Sequence, residues 1–114
     1  MKTKIVIRGD APIRKHDFVD VWVERRDGTL VVHATDFSEY GWHARNGLCR
    51  VHGTPVTMTY GDLLREHPNA QVEIHGMART VDWQIGGDFS GAARRAEWHD
   101  PVAASDLLAH ISGG

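Results

Sequence analysis

Eight histidines, one cysteine and a scatter of carboxylates are the side chains of this chain that could hold a metal or move a proton. The histidines are His16, His33, His43, His52, His67, His75, His99 and His110, and their spacing does not converge. H-x-H and H-E-x-x-H, the patterns that bring two imidazoles to one side of a strand or helix, are both missing. Cys49-Arg50-Val51-His52 is a C-x-x-H, but residues three apart on a strand face opposite ways, so the pair could chelate only from a turn. As a nucleophile, Cys49 would need a base to make thiolate and a group to orient that base. His43 and His52 are its neighbours in sequence, and Asp36 is the carboxylate that could join them. Leu48 and Val51 flank the cysteine, however, which is the setting of a small core residue. Asp17, Asp20, Asp82, Asp88 and Asp100 fall at turn and cap positions rather than in facing pairs. The expectation is therefore no catalytic residue, no metal and no cofactor, with an enzyme or metal protein built on Cys49, His43 and His52 as the alternative.

Phosphate chemistry is no better marked. Gly86 to Gly91, GGDFSG, could turn backbone amides toward an anion, yet it matches neither G-x-G-x-x-G nor G-x-x-x-x-G-K-[ST]. Arg94-Arg95 nearby would suit an anionic partner as well as it suits solvent. The net charge of −2, from 13 basic and 15 acidic residues interspersed along the chain, lacks the basic stripe that phosphate-backbone binding needs. Direct nucleic-acid binding is not expected.

The chemistry the sequence does concentrate is aromatic. Thr35 to Gly47 reads TDFSEYGWHARNG, with Phe37, Tyr40, Trp42 and His43 in a segment of neither helical nor strand period. Trp, Tyr and Arg bury large areas at modest entropy cost while keeping a polar handle, which is why they dominate protein interfaces. Tyr40, Trp42, His43 and Arg45, together with Trp22 from the preceding hairpin, are the expected partner-binding residues. The competing expectation is that Phe37 and Trp42 roof the sheet as a small satellite core.

The elements that would position these groups read as one domain, 1–114, long enough for a single core. With 41% hydrophobic and 25% charged residues the composition is that of an ordinary soluble chain. No apolar run nears the roughly 18 residues of a membrane helix, the opening MKTKIVIRGD is too short in apolar residues for an export signal, and the lone Cys49 suits a reducing cytosol. Thr3 to Arg8 is a first strand. Phe18 to Arg26 alternates, Asp27-Gly28 suits a type I′ turn, and Thr29 to Ala34 returns, placing Val23 opposite Val32, Trp22 opposite His33 and Val21 opposite Ala34. Leu48 to His52 and Pro55 to Met58 are short strands. Thr59 caps a helix carrying Leu63 and Leu64, and Pro68 ends it. Gln71 to Ala78 and the run Val81, Trp83, Ile85 are strands; part of Ala92 to His99 is a helix. A last helix starts with Asp100 as N-cap and Pro101 as first residue, with Ala104, Leu107, Leu108 and Ile111 inward. The fold class is α+β: a mainly antiparallel sheet with two or three short helices packed on one face.

Two resemblances bear on function. The terminal Gly113-Gly114 is similar to the tails of ubiquitin-like modifiers and sulfur carriers, but there the tail leaves a strand and here it follows a helix. FVDVWVERRDGTLVVHA, TDFSEYGWHARNG and YGDLLREH together resemble small accessory proteins of bacteriophages and prophages. That resemblance implies a stoichiometric inhibitor of a bacterial defence system, of the anti-CRISPR type, acting in the host cytoplasm by binding an effector protein, possessing no active site. Self-association through an open hairpin edge or the Trp22 face is a further expectation.

Overall fold

The computed structural model describes residues 2–9, 13–35, 55–76, 80–84, 93–97 and 100–112. Side-chain statements below concern these residues except Gly76 and those of 80–84 and 93–97, for which the backbone pairing alone is described.

The strand Lys2–Gly9 (β1) leads to the hairpin of Phe18–Arg26 (β2) and Thr29–Thr35 (β3), whose register is the one expected from sequence: Val23 faces Val32, Trp22 faces His33 and Val21 faces Ala34. Asp27 and Gly28 both have positive φ, 50° and 77°, as the type I′ turn requires. Val56–Thr59 (β4) follows, then the helix Tyr60–Glu66 (α1) and the strand Gln71–Gly76 (β5). Thr80–Gln84 (β6) pairs with Ala93–Glu97 (β7) in a separate antiparallel ribbon, and Val102–Ala103 (β8) precedes the final helix Ala104–Ile111 (α2).

Among the described residues the main sheet has six strands in the order β4-β2-β3-β1-β5-β8. Its centre is parallel, β1 against both β3 and β5, and its remaining pairings are antiparallel. The fold is α+β, mainly antiparallel as expected, with the parallel trio made possible because long connections separate β1, β3 and β5 in sequence.

One face of the sheet carries the core. Ile5 and Ile7, Val19 and Val21, Val32 and Ala34, and Val72 and Ile74 alternate inward from four strands, and the two described helices cover them. From α1 come Tyr60, Leu63 and Leu64; from α2 come Ala104, Leu107 and Ile111, the stripe read from sequence. Helix α1 begins where the sequence places it, since the Thr59 hydroxyl accepts from the backbone N–H of Asp62 at 3.1 Å. Its first turn lies close against the segment before β2: Gly61 N–H donates to the Lys15 carbonyl at 2.9 Å, and a Cβ on Gly61 would stand 3.2 Å from that oxygen.

Two expectations need correction. The stretch expected to be helical within Ala92 to His99 contains β7, because pairing with β6 outweighs the helix propensity of ARRAE. The last helix starts at Ala104, not at Pro101. Val102 and Ala103 are drawn into the ladder beside Val72 and Gln71, and the amides of Ala104 and Ser105 are capped by the carbonyls of Ala70 and Pro68 at 2.9 and 3.1 Å instead of by Asp100. The expected strand Leu48 to His52 lies outside the described residues. No helix among the described residues is long and apolar enough to cross a membrane.

Candidate interaction surface at the sheet edge

Of the residues expected to bind a partner, Trp22 is the one among the described residues, and it lies on the face of the sheet opposite the described helices. Trp22 is 2% exposed, and Asp20, Val31 and Thr35 are buried beside it. The expected surface role of Trp22 is thus corrected: an indole so covered presents almost no area to a partner. Cross-strand geometry explains the rest. His33 Nε2 lies 2.9 Å from Glu24 Oε1, and Arg26 bonds the same carboxylate. Asp20 stands directly between its register partners Thr57 and Thr35, and the Thr57 hydroxyl donates to its carboxylate at 2.8 Å. Further along, Lys4 Nζ meets Glu73 at 2.6 Å, and this contact is the main reason the Glu73 carboxyl is held below its usual range. Charged groups on a half-covered face are expected to be partnered, because an unpaired one would lose hydration for nothing.

Among the described residues the exposed large apolar side chains are Phe18, 57%, Val23, 48%, and Val56, 61%. All three lie on β2 and β4, at the margin where the sheet ends among the described residues. Phe18 projects on the polar face, in register with Thr59; Val23 and Val56 project on the helix face. Beside Val56, between β4 and α1, is a groove of about 420 Å³ lined by Val56, Met58, Asp62, Arg65 and Glu66. Asp62 and Arg65 bond each other at 2.7 Å across its rim, and the guanidinium, with the Thr59 cap after it, keeps the Asp62 carboxyl below its ordinary range.

Backbone polarity along β4 follows from one hydrogen bond. Tyr60 N–H donates to the Asp17 carbonyl at 3.1 Å, so the groups of Met58 and Val56 also turn toward β2 and those of Thr57 turn away, as does the Thr59 N–H. The hairpin edges expected to be open are both occupied, β2 by β4 and β3 by β1. Among the described residues the sheet ends at β4 on the hairpin side and at β8 on the other.

Of the expected partner-binding residues, Tyr40, Trp42, His43 and Arg45 lie outside the described residues, as do Cys49 and His52. Val56 was missed by sequence reading. Its signal was Pro55, since proline beside a short strand marks a sheet edge. Among the described residues no group of three or more His, Cys, Asp or Glu side chains could hold a metal ion. A second, wider concavity of about 700 Å³ opens beside Lys2, Lys4, His67 and Asn69; Lys4 is neutralised there by Glu73, so the concavity offers little net charge to an anion.

The chain matches no family model, no curated protein and no solved structure.

Proposed function

We propose that this chain is a protein-binding module that acts stoichiometrically, an inhibitor of a bacterial host effector in the manner of anti-CRISPR proteins. The observation that supports binding is that the exposed large apolar side chains among the described residues, Phe18 on one face and Val23 and Val56 on the other, all lie on the two strands at one margin of the sheet, where exposed apolar surface is a usual mark of a protein contact. The effector class comes from the resemblance of the hairpin, the aromatic loop and the paired-leucine helix to phage accessory proteins. Phe18 joins Tyr40, Trp42, His43 and Arg45 as the proposed contact residues.

The test is cleavage by purified CRISPR effector complexes with and without the protein, together with capture stoichiometry. The expected result is loss of cleavage at near-equimolar protein, abolished by Phe18→Asp or Trp42→Ala in variants that melt like the parent. Full cleavage at a large excess of protein, across the effector types tried, would remove the inhibitor reading. A thiol-dependent or metal-dependent activity mapped to Cys49 and His52 would replace it with the enzyme alternative.

A further inference from the structure

We infer that the open edge of β4 is occupied by a second copy of this chain, in an antiparallel two-fold pairing centred on Thr57. The inference goes beyond the inhibitor reading and stands without it.

The outward backbone groups of β4 are complementary to themselves. Thr57 offers both its N–H and its carbonyl away from β2, so two copies related by a two-fold axis at Thr57 exchange a reciprocal pair of hydrogen bonds. The same axis sets Thr59 of one copy opposite Pro55 of the other. Pro55 has no N–H to give, and the Thr59 carbonyl needs none, because as the N-cap residue of α1 it accepts the first bond of the helix. What remains is the Thr59 N–H, which meets the outward carbonyl of Pro55. A proline beside an edge strand ordinarily discourages strand addition; in this register its missing donor falls opposite the one carbonyl already in use.

Side chains agree with the register. On the helix face, Val56 of one copy stands opposite Met58 of the other, so an apolar side chain enters each groove between β4 and α1. On the other face Thr57 meets Thr57. The strand VTMT carries no charge, and the rim of the groove carries both signs in the bonded pair Asp62 and Arg65. No block of like charge is brought against itself, and two six-stranded sheets join edge to edge. The seam covers Val56 and leaves Phe18 and Val23 beside it for another partner.

Sedimentation velocity on the purified protein over a concentration series, with hydrogen exchange at the Thr57 amide, tests this. The expected result is a species of twice the 12.7 kDa chain mass with a protected Thr57 amide. Two variants separate assembly from folding. Val56→Lys sets a charge against Met58 of the other copy at a position exposed in the single chain, and Thr57→Pro deletes an outward donor that the single chain's ladder does not use, along with the Thr57 hydroxyl's bond to Asp20 inside the chain. Both should sediment at the single-chain mass with unchanged far-ultraviolet dichroism. A wild-type protein that stays at the single-chain mass up to its solubility limit overturns the inference. So does a dimer that survives both variants, which places the seam elsewhere. A single-chain species whose Thr57 amide becomes protected only on adding a host protein overturns it in favour of a foreign strand.

Discussion

Val21 and Val56 are register partners on the same face of the sheet, yet Val21 is 5% exposed and Val56 is 61% exposed. The two residues have the same chemistry and nearly the same strand geometry. What separates them is one strand spacing: Val21 lies under the helices, and Val56 lies at the margin where α1 no longer covers the sheet. In the single chain, Val21→Ala should cost roughly 2 kcal/mol, the scale of deleting buried methyl groups, while Val56→Ala should stay within about 0.5 kcal/mol. Urea unfolding of a monomeric background, such as Thr57→Pro, gives both numbers. A large cost at Val56 in that background would mean that the groove is packed from within.

Trp22→Ala should unfold the protein more easily by about 3 to 5 kcal/mol, because a buried indole leaves a large cavity behind. Chemical denaturation followed by far-ultraviolet dichroism reads this directly. A Trp22→Ala protein of unchanged stability would return the indole to the recognition surface.

Thr59→Ala should cost about 1 kcal/mol, the worth of an N-cap side chain whose oxygen accepts the Asp62 amide. Thr59→Asn keeps an acceptor at that place and should recover most of the loss. Equal destabilisation by both substitutions would assign the cost to the strand rather than to the cap.

Gly28→Ala tests backbone conformation in isolation. A Cβ there meets no heavy atom within 4 Å, so any cost arises from holding an alanine at φ +77°. About 1 to 2 kcal/mol is expected, and Gly28→Asn should cost less, since asparagine tolerates the left-handed region. An alanine variant as stable as the parent would show that the turn relaxes to another type.

Acid sensitivity should depend on Lys4. Glu73 is held below its ordinary value of 4.5, first by its hydrogen bond from Lys4. A carboxylate with a lowered folded value contributes stability that is complete above its unfolded value and is lost as pH falls through the folded one. Thermal midpoints measured from neutral pH down through the carboxylate range should therefore fall less steeply in Lys4→Met than in the parent. The difference should be small, because the pair is about 40% exposed and solvent screens it. Parallel pH profiles for the two proteins would show that the ion pair adds nothing.

Local rules were enough for much of this chain. The alternation of Phe18 to Arg26 and the Asp27-Gly28 pair set the hairpin and its register, because a two-residue turn with positive φ leaves one way to pair the strands. Thr59 with its helix, and the stripe Ala104, Leu107, Leu108 and Ile111, were legible for the same reason: a cap and a 3.6-residue period act within a few residues. The aromatic composition of Thr35 to Gly47 was also plain. Tertiary structure decided everything that depends on what lies one strand away. It set β1 parallel between β3 and β5, took Val102 and Ala103 out of the helix that Asp100-Pro101 announces, and turned ARRAE into a strand. It also buried Trp22 and left Val56 at an edge, although alternation alone treats the faces of every strand alike. Periodicity states which side chains share a face; it carries no term for what covers that face or for which strand comes last, because those are settled by contacts between residues far apart in the chain.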